Sequence, residues 1–522
     1  MHRGKPVPGR EREGIERMRG FRPERLLGTA LVAALGAAVL AGCSADTQPM
    51  AEGAGRPGPV GGDAPRAPEP VDQQLQVDAG RQSGGTVAAG GPGAPYNYGP
   101  TVMLDGGQTR MWWCSQYGGA PPPGDDILYG EAATADGPFT GQGGGAPRAV
   151  FSGSSGGFDA MHVCDPSVIR VDGTYYLYYT GAAGDHALGN SIGLATSTDG
   201  VNWSRANGGA PILNPAHDTH RANAYGAGQP AVVHLDGWFY LMFTDTTGAA
   251  AGWNGAGQFL VRAKDPAFAT GVEALGDKGF IPVPNASAAR SRSLVDAFSA
   301  DLTWVAALNA FAIAHETQEG TTLTFWNRGF TANPYRPVVV PGPWQEGPGL
   351  VRQADGHAPI SVSDPCGRVP LDLVRATVIG GANAPTDLRH FGIDVHGLNA
   401  CGTAERALAV LDGFAMPSPV RTMDLVTGGK VIRVDRRSVA AALATRVLDR
   451  RLPALDWLPV AARLPAETRA LRAPGPGVGL LLDDGRLWPV RPTGLAELNG
   501  SKVEPVTEQQ WTTYPAGLPL GR

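Results

Sequence analysis

The sequence predicts an all-β chain: a five-bladed β-propeller over residues 95–415, followed by a small mixed α/β accessory region over 416–522. Three observations carry that expectation. One short motif recurs five times, with its anchors separated by 66, 64, 72 and 46 residues. Turn chemistry ahead of an aromatic residue keeps step with the first three copies. The chain has 522 residues, with 74 Gly, 45 Pro and only 17% charged residues. That is too long for one ordinary domain and too rich in turn formers for a mostly helical one.

The copies read "GPTVMLDGGQTRMWWCS" from Gly99, "DPSVIRVDGTYYLYYTG" from Asp165 and "QPAVVHLDGWFYLMFTD" from Gln229. Degenerate ones follow, "DLTWVAALNAFAIAHET" from Asp301 and "GPGLVRQADGHAPISVS" from Gly347. Each offers alternating apolar residues, a tight turn and a second strand; the first three share an x-Pro step and an Asp-Gly turn ahead of an aromatic strand. Turns at Asp136, Asp199 and Asp265 add a second hairpin to the first three units. Four strands per repeat, with no helical pattern between them, are the signature of a propeller. A β-sandwich also has many short strands, but it does not predict the same double hairpin at a near-constant interval.

Outside the repeats, basic residues Arg19, Arg22 and Arg25 precede the apolar run "LLGTALVAALGAAVL", which leads into Leu40-Ala41-Gly42-Cys43. The run is shorter than the roughly 20 residues of a spanning helix. Residues 1–43 therefore read as a lipoprotein signal peptide with Cys43 as the lipidated residue, or as an ordinary cleaved signal in which Cys43 is incidental. Either predicts export. Lipidation predicts a chain anchored to a bacterial cell envelope, with Ser44 pointing to the outer membrane if the cell is Gram-negative. Residues 44–94, poor in aromatics, read as a disordered Gly/Pro-rich tether.

An oxidising compartment pairs cysteines. Cys114, Cys164, Cys366 and Cys401 allow three pairings, of which Cys114 with Cys164 and Cys366 with Cys401 is preferred; buried free thiols are the alternative. In the accessory region, "SVAAALATRVLDRRLP" predicts one helix, capped by Ser438 and stopped by Pro453, with Val439, Leu443 and Val447 on one face. "GLLLDDGRLWPVRP" predicts a hairpin.

In a propeller the first strand of each blade begins near the axis, so the residues before the five anchors converge. They are Gly99, Asp165, Gln229, Asp301 and, one step earlier, Glu346. Three carboxylates from separate repeats are what glycosidic cleavage needs, one to protonate the leaving oxygen and one to activate water or attack the sugar. Crowding also raises the pKa of one of them. Asp159 and His162 add to the rim, and Trp112, Trp113, Trp253 and Trp326 are candidates for stacking on sugar rings. The bland reading is that an Asp before Pro starts a turn, which is how Asp199 and Asp265 are read. A formal net charge of -5 without long blocks excludes nucleic acid as a partner. No Walker-type loop and no zinc-spaced Cys/His cluster is present.

"DPSVIRVDGTYYLYYTG" resembles the first-strand motif of the five-bladed propeller glycosidases, above all glycoside hydrolase family 43, with its β-xylosidases, α-L-arabinofuranosidases and arabinanases. The resemblance spans roughly residues 95–400 and is tight only around Asp165. "FDAMHVCDP" is similar to a run in neighbouring propeller clans that act on fructosides and mannosides. The resemblance implies Asp165 as general base, Glu346 of "EGP" as general acid, and Asp301 as the carboxylate that tunes pKa and orients substrate. It implies no organic cofactor; a structural Ca²⁺ on the axis is the one ion propellers commonly hold, though no ligand set here argues for it. The family's carboxylates fall on its first three blades, whereas these fall on the second, fourth and fifth units, with Gly99 and Gln229 where acids are expected. Two other functions fit the pattern: a non-catalytic glycan-binding lipoprotein, and a propeller phosphorylase or transferase whose anion site would draw on Arg221, Arg292 or Arg328.

Overall fold

The computed structural model describes residues 71–522, except 79, 91–92, 117–123, 185–187, 379–385 and 522. The expected signal peptide, Cys43 and the expected tether up to residue 70 lie outside the described residues. Among those described, no helix is long and apolar enough to cross a membrane.

The chain is mostly β, and strands follow one another as antiparallel meanders. The first sheet holds Asn97–Asp105, Gln108–Gln116, Asp125–Ala132 and Arg148–Phe151. The second starts with His162–Val171, the third with Ala227–Leu235, the fourth with Ala300–Val305 and the fifth with Glu346–Gln353. These starting strands touch one another in chain order. The fifth then joins the first through parallel pairing of Val351 with Val102, so that these two run on as one nine-stranded sheet.

Local chemistry explains the hairpins. Asp172-Gly173 and Asp236-Gly237 each place both residues at positive φ, closing two-residue loops between Val171 and Thr174 and between Leu235 and Trp238. That turn matches the right-handed twist of the strands it joins. Strand alternation explains the Trp112-Trp113 pair: Trp112 packs into the core between the first and second sheets, Trp113 into the core between the first and fifth. Both rings are fully buried, and truncating either to Ala is worth about 3–5 kcal/mol.

Three expectations need correction. The tether reading fails from residue 71. Gln76–Val77 and Arg81–Gln82 pair with Thr386–His396 and complete the fifth sheet, while Leu75, Val87, Ala88 and Ala94 are buried. Composition missed this because strand pairing uses the backbone, and Arg81 holds the segment through Asp372 (2.8 Å) and Asp394 (3.1 Å). In the fifth repeat, no strand follows the turn at Asp355-Gly356; the next one is Val369–Val378. The predicted C-terminal helix is only Arg437–Leu443, with Arg436 as its N-cap and no side-chain cap from Ser438. Ala444 turns extended, and Arg446–Val447 pairs in parallel with Phe414–Pro417 instead.

Both preferred disulfides form, Cys114 with Cys164 and Cys366 with Cys401. Beyond residue 413 the chain makes two further sheets built on one plan. Ala415 pairs with Val447 as Ala470 does with Val503, and Val431 pairs with Val460 as Leu487 does with Ala516. The predicted hairpin is part of the second, with Leu480 opposite Trp488. The two sheets share a core around Leu425, Ile432, Leu464, Leu480 and Trp488.

Candidate active site

Gly99, Asp165, Gln229, Asp301 and Glu346 line one pocket, together with the prolines that follow three of them directly. A shared backbone feature brings them there. Gly99, Asp165 and Gln229, each directly before a proline, have φ of 54°, 47° and 53°, and Gly347 before Pro348 has 37°. The strand pairing shifts at the same four places. Each bulge re-aims the residue at the strand's start out of the ladder and into the pocket. Left-handed backbone costs a non-glycine residue about 1–2 kcal/mol, so Asp165 and Gln229 hold local strain where the pocket lies. The fourth strand has neither bulge nor proline, and its Asp301 behaves differently.

Asp165 and Glu346 lie on the second and fifth sheets, with the first between them. A Cβ on Gly99 would stand 3.1 Å from Oδ1 of Asp165, and one on Gly347 would stand 3.5 Å from the Cα of Gly99. The bare glycines keep the floor between the two carboxyls open. Each carboxyl is reachable from the pocket but otherwise enclosed by protein. Burial, then the charge of nearby Asp125, pushes Asp165 up to about 6, against hydrogen bonds from Thr180 and Tyr225. Burial, then the charge of Asp165, pushes Glu346 up to about 7, against a hydrogen bond from Tyr96. The Tyr96 hydroxyl is 2.9 Å from Oε2 of Glu346, and the Tyr225 hydroxyl 3.4 Å from Oδ2 of Asp165.

Asp301 is buried, and both of its oxygens are engaged. Leu302 N–H donates to Oδ1 at 2.8 Å, Leu350 N–H donates to Oδ2 at 2.7 Å, and Arg352 lies 3.2 Å from Oδ1. Burial raises its pKa, and Arg352 opposes the rise. Arg352 in turn donates to the carbonyls of Val232 and Leu302 and to Thr101 Oγ1, so its guanidinium joins the starting strands of four sheets. The one close group of possible metal ligands among the described residues, Cys114, Asp125 and Cys164, has both sulfurs in a disulfide.

The remaining expected residues divide. Gln229 lines the pocket, with its N–H bonded to Thr180 and its Oε1 buried without a protein partner. Trp253 is 64% exposed on the segment joining the pocket ends of Trp238–Asp245 and Gln258–Ala263. His162 stands behind the wall, its Nδ1 3.0 Å from Oδ2 of Asp125. Asp159 is fully buried between Tyr179 (2.9 Å) and Arg205 (2.8 Å) and does not line the pocket. Trp113 is a correction: fully buried and bonded through Nε1 to Asn97, it has no face for a sugar. Trp112, tied to the Gly200 carbonyl, is the same.

Sequence reading missed Tyr96, Tyr98, Tyr225 and Asp125. A signal was present in "YNYGP" and "YGAGQP", where tyrosines sit within four residues of the pre-proline position.

No family model matches the chain, and no curated protein matches it. Among solved structures, the chain is similar to a family 117 glycoside hydrolase from the marine bacterium Zobellia galactanivorans, at 14% identity and a TM-score of 0.42, covering 62% of this chain and 92% of that one. It is also similar to an α-L-arabinofuranosidase from Podospora anserina, at 13% identity and 0.37, covering 63% and 99%. A third is a structure of the family 130 mannoside phosphorylases and hydrolases, at 12% and 0.37, covering 62% and 96%. Likeness at this level assigns neither family nor activity.

Proposed function

We propose that the five sheets are the blades of a β-propeller and that the protein hydrolyses glycosidic bonds, in the manner of a xylosidase or arabinofuranosidase. One observation supports this most: Asp165 and Glu346 share a pocket with their pKa values held near neutrality, at about 6 and about 7. At pH 6.5 to 7 such a pair presents one ionised and one protonated carboxyl. Glu346 protonates the leaving oxygen. Asp165 takes a proton from the attacking water or bonds to the sugar, as their separation dictates. Asp301 enters as the brace of Arg352 rather than as a proton carrier. Export and anchoring through Cys43 remain part of the proposal and place the substrate outside the cytoplasm.

The phosphorylase reading asks for a free cation in the pocket. Arg221 donates to the carbonyls of Thr246, Gly248, Ala249 and Ala251, and Arg292 to that of Gly276. Arg328 pairs with Asp236 in a turn at the opposite end of the sheet. None lines the pocket. The glycan-binding reading is separated by experiment. The full chain and its Asp165→Asn variant are incubated with aryl xylosides, arabinofuranosides, fructans and bacterial exopolysaccharides. Release by the parent alone supports hydrolysis; retention of one glycan without release supports binding only.

A further inference from the structure

Resting on the hydrolase reading, we propose that Trp344 is the platform for the sugar on the leaving-group side of the scissile bond, and that the substrate is an uncharged oligo- or polysaccharide. Among the described residues three tryptophans are exposed: Trp253 (64%), Trp344 (40%) and Trp457 (50%). Two of these three, Trp253 and Trp344, stand at the pocket end of the sheets.

Trp344 precedes Glu346 by two residues, on the segment entering the fifth sheet. Its indole N–H donates to the Thr317 carbonyl at 2.7 Å. Thr317 ends a strand whose Ala314 and His315 pair with pocket residues Asp301 and Ala300, so the anchor lies at the pocket end of the fourth sheet. With its one polar atom engaged, the ring is fixed while part of its surface stays in solvent. An acid that protonates the leaving oxygen lies by definition on the leaving-group side. A fixed aromatic two residues before that acid in the chain therefore serves the departing group, and the apolar face of a sugar ring is the shape that stacks on it.

Charge decides the rest. Asp165, Glu346 and nearby Asp125 act on one another electrostatically. Among the described residues the segments entering the five starting strands carry three arginines and no lysine. Arg221 and Arg292 are occupied as above, and Arg290 is buried against Asp245 and three backbone carbonyls. An anionic sugar beside these carboxyls meets like charge with no free cation on those segments to offset it. Uronate, sulfate and phosphate groups are excluded from this subsite.

The test is calorimetric titration of the full chain with xylohexaose, arabinohexaose, mannohexaose and a fructohexaose, and with an oligogalacturonate. Parent, Trp344→Ala, Trp344→Phe and Trp344→Leu are compared; the Leu variant keeps bulk without an aromatic face and covers poor folding of the Ala variant. At least one neutral oligosaccharide is expected to bind with little dependence on salt, about tenfold more weakly to the Ala and Leu variants and near the parent value to the Phe variant. Cleavage of the same glycans by the parent is measured beside binding. Equal affinity of parent and Leu variant, or preference for the oligogalacturonate, overturns this inference and leaves hydrolysis standing. A parent that neither binds nor cleaves any of the glycans overturns both.

Discussion

The hydroxyl of Tyr96 lies 2.9 Å from Oε2 of Glu346 and donates a hydrogen bond to it. This hydrogen bond lowers the Glu346 pKa, against burial and the charge of Asp165, which raise it. Tyr96→Phe removes the bond and keeps the ring. Glu346 is then expected to titrate above 7, moving the alkaline limb of activity to higher pH, with a loss of rate of about tenfold at the optimum. Carbon NMR of glutamate-labelled protein reads the same shift without a substrate. An unchanged Glu346 titration in the variant contradicts the assignment.

Gly99 is the floor between the two carboxyls. Alanine there adds a Cβ 3.1 Å from Oδ1 of Asp165 at a backbone φ of +54°. The expected cost is about 1–2 kcal/mol of stability, together with a loss of sugar release far larger than that cost explains. Urea unfolding beside initial rates separates the two effects.

Asp301 stands opposite the buried guanidinium of Arg352. Asp301→Asn leaves that guanidinium buried without its counter-charge, which costs about 3–5 kcal/mol. Stability is expected to fall while the pH limbs of the surviving activity stay in place. Displaced limbs would restore Asp301 as the group that tunes the pair.

Asp165 and Glu346 also make stability depend on pH. Their folded pKa values, about 6 and about 7, lie above the ordinary carboxyl range, so the folded state binds their protons more tightly. Their contribution to stability is full below about pH 4 and is lost as pH rises through 6 and 7. Asp165→Asn and Glu346→Gln are therefore expected to raise Tm at pH 8, by about 1–2 °C for each kcal/mol relieved, and to change it little at pH 4. Differential scanning calorimetry at the two pH values checks the sign.

Much of this was legible in the chain because strand repeats write themselves twice, once as alternating apolar residues and once as Asp-Gly turns. Asp165 and Glu346 could be picked out because the turn before a proline fixes where a side chain points. Other features depended on backbone pairing, which leaves no mark in composition. Arg81 and Gln82 read as tether until Thr386–His396 is seen beside them. The twofold plan after residue 413 escaped notice because Val431 and Leu487, or Val460 and Ala516, share a register rather than an identity. Trp113 read as a sugar platform since sequence does not say which core a buried ring enters. Asp301 aligned with the other carboxylates and lines the same pocket, yet Leu302, Leu350 and Arg352 occupy both its oxygens.

The measurement that bears most directly on the acid and base pair is the pH dependence of kcat/KM for the glycan the parent cleaves. Asp165 must be ionised to accept a proton and Glu346 protonated to give one, so activity is expected to rise through about pH 6 and fall through about pH 7. The acid limb should vanish in what activity Asp165→Asn retains, and the alkaline limb in that of Glu346→Gln. A profile that is flat between pH 5 and 8, or one whose limbs survive both substitutions, would contradict the account.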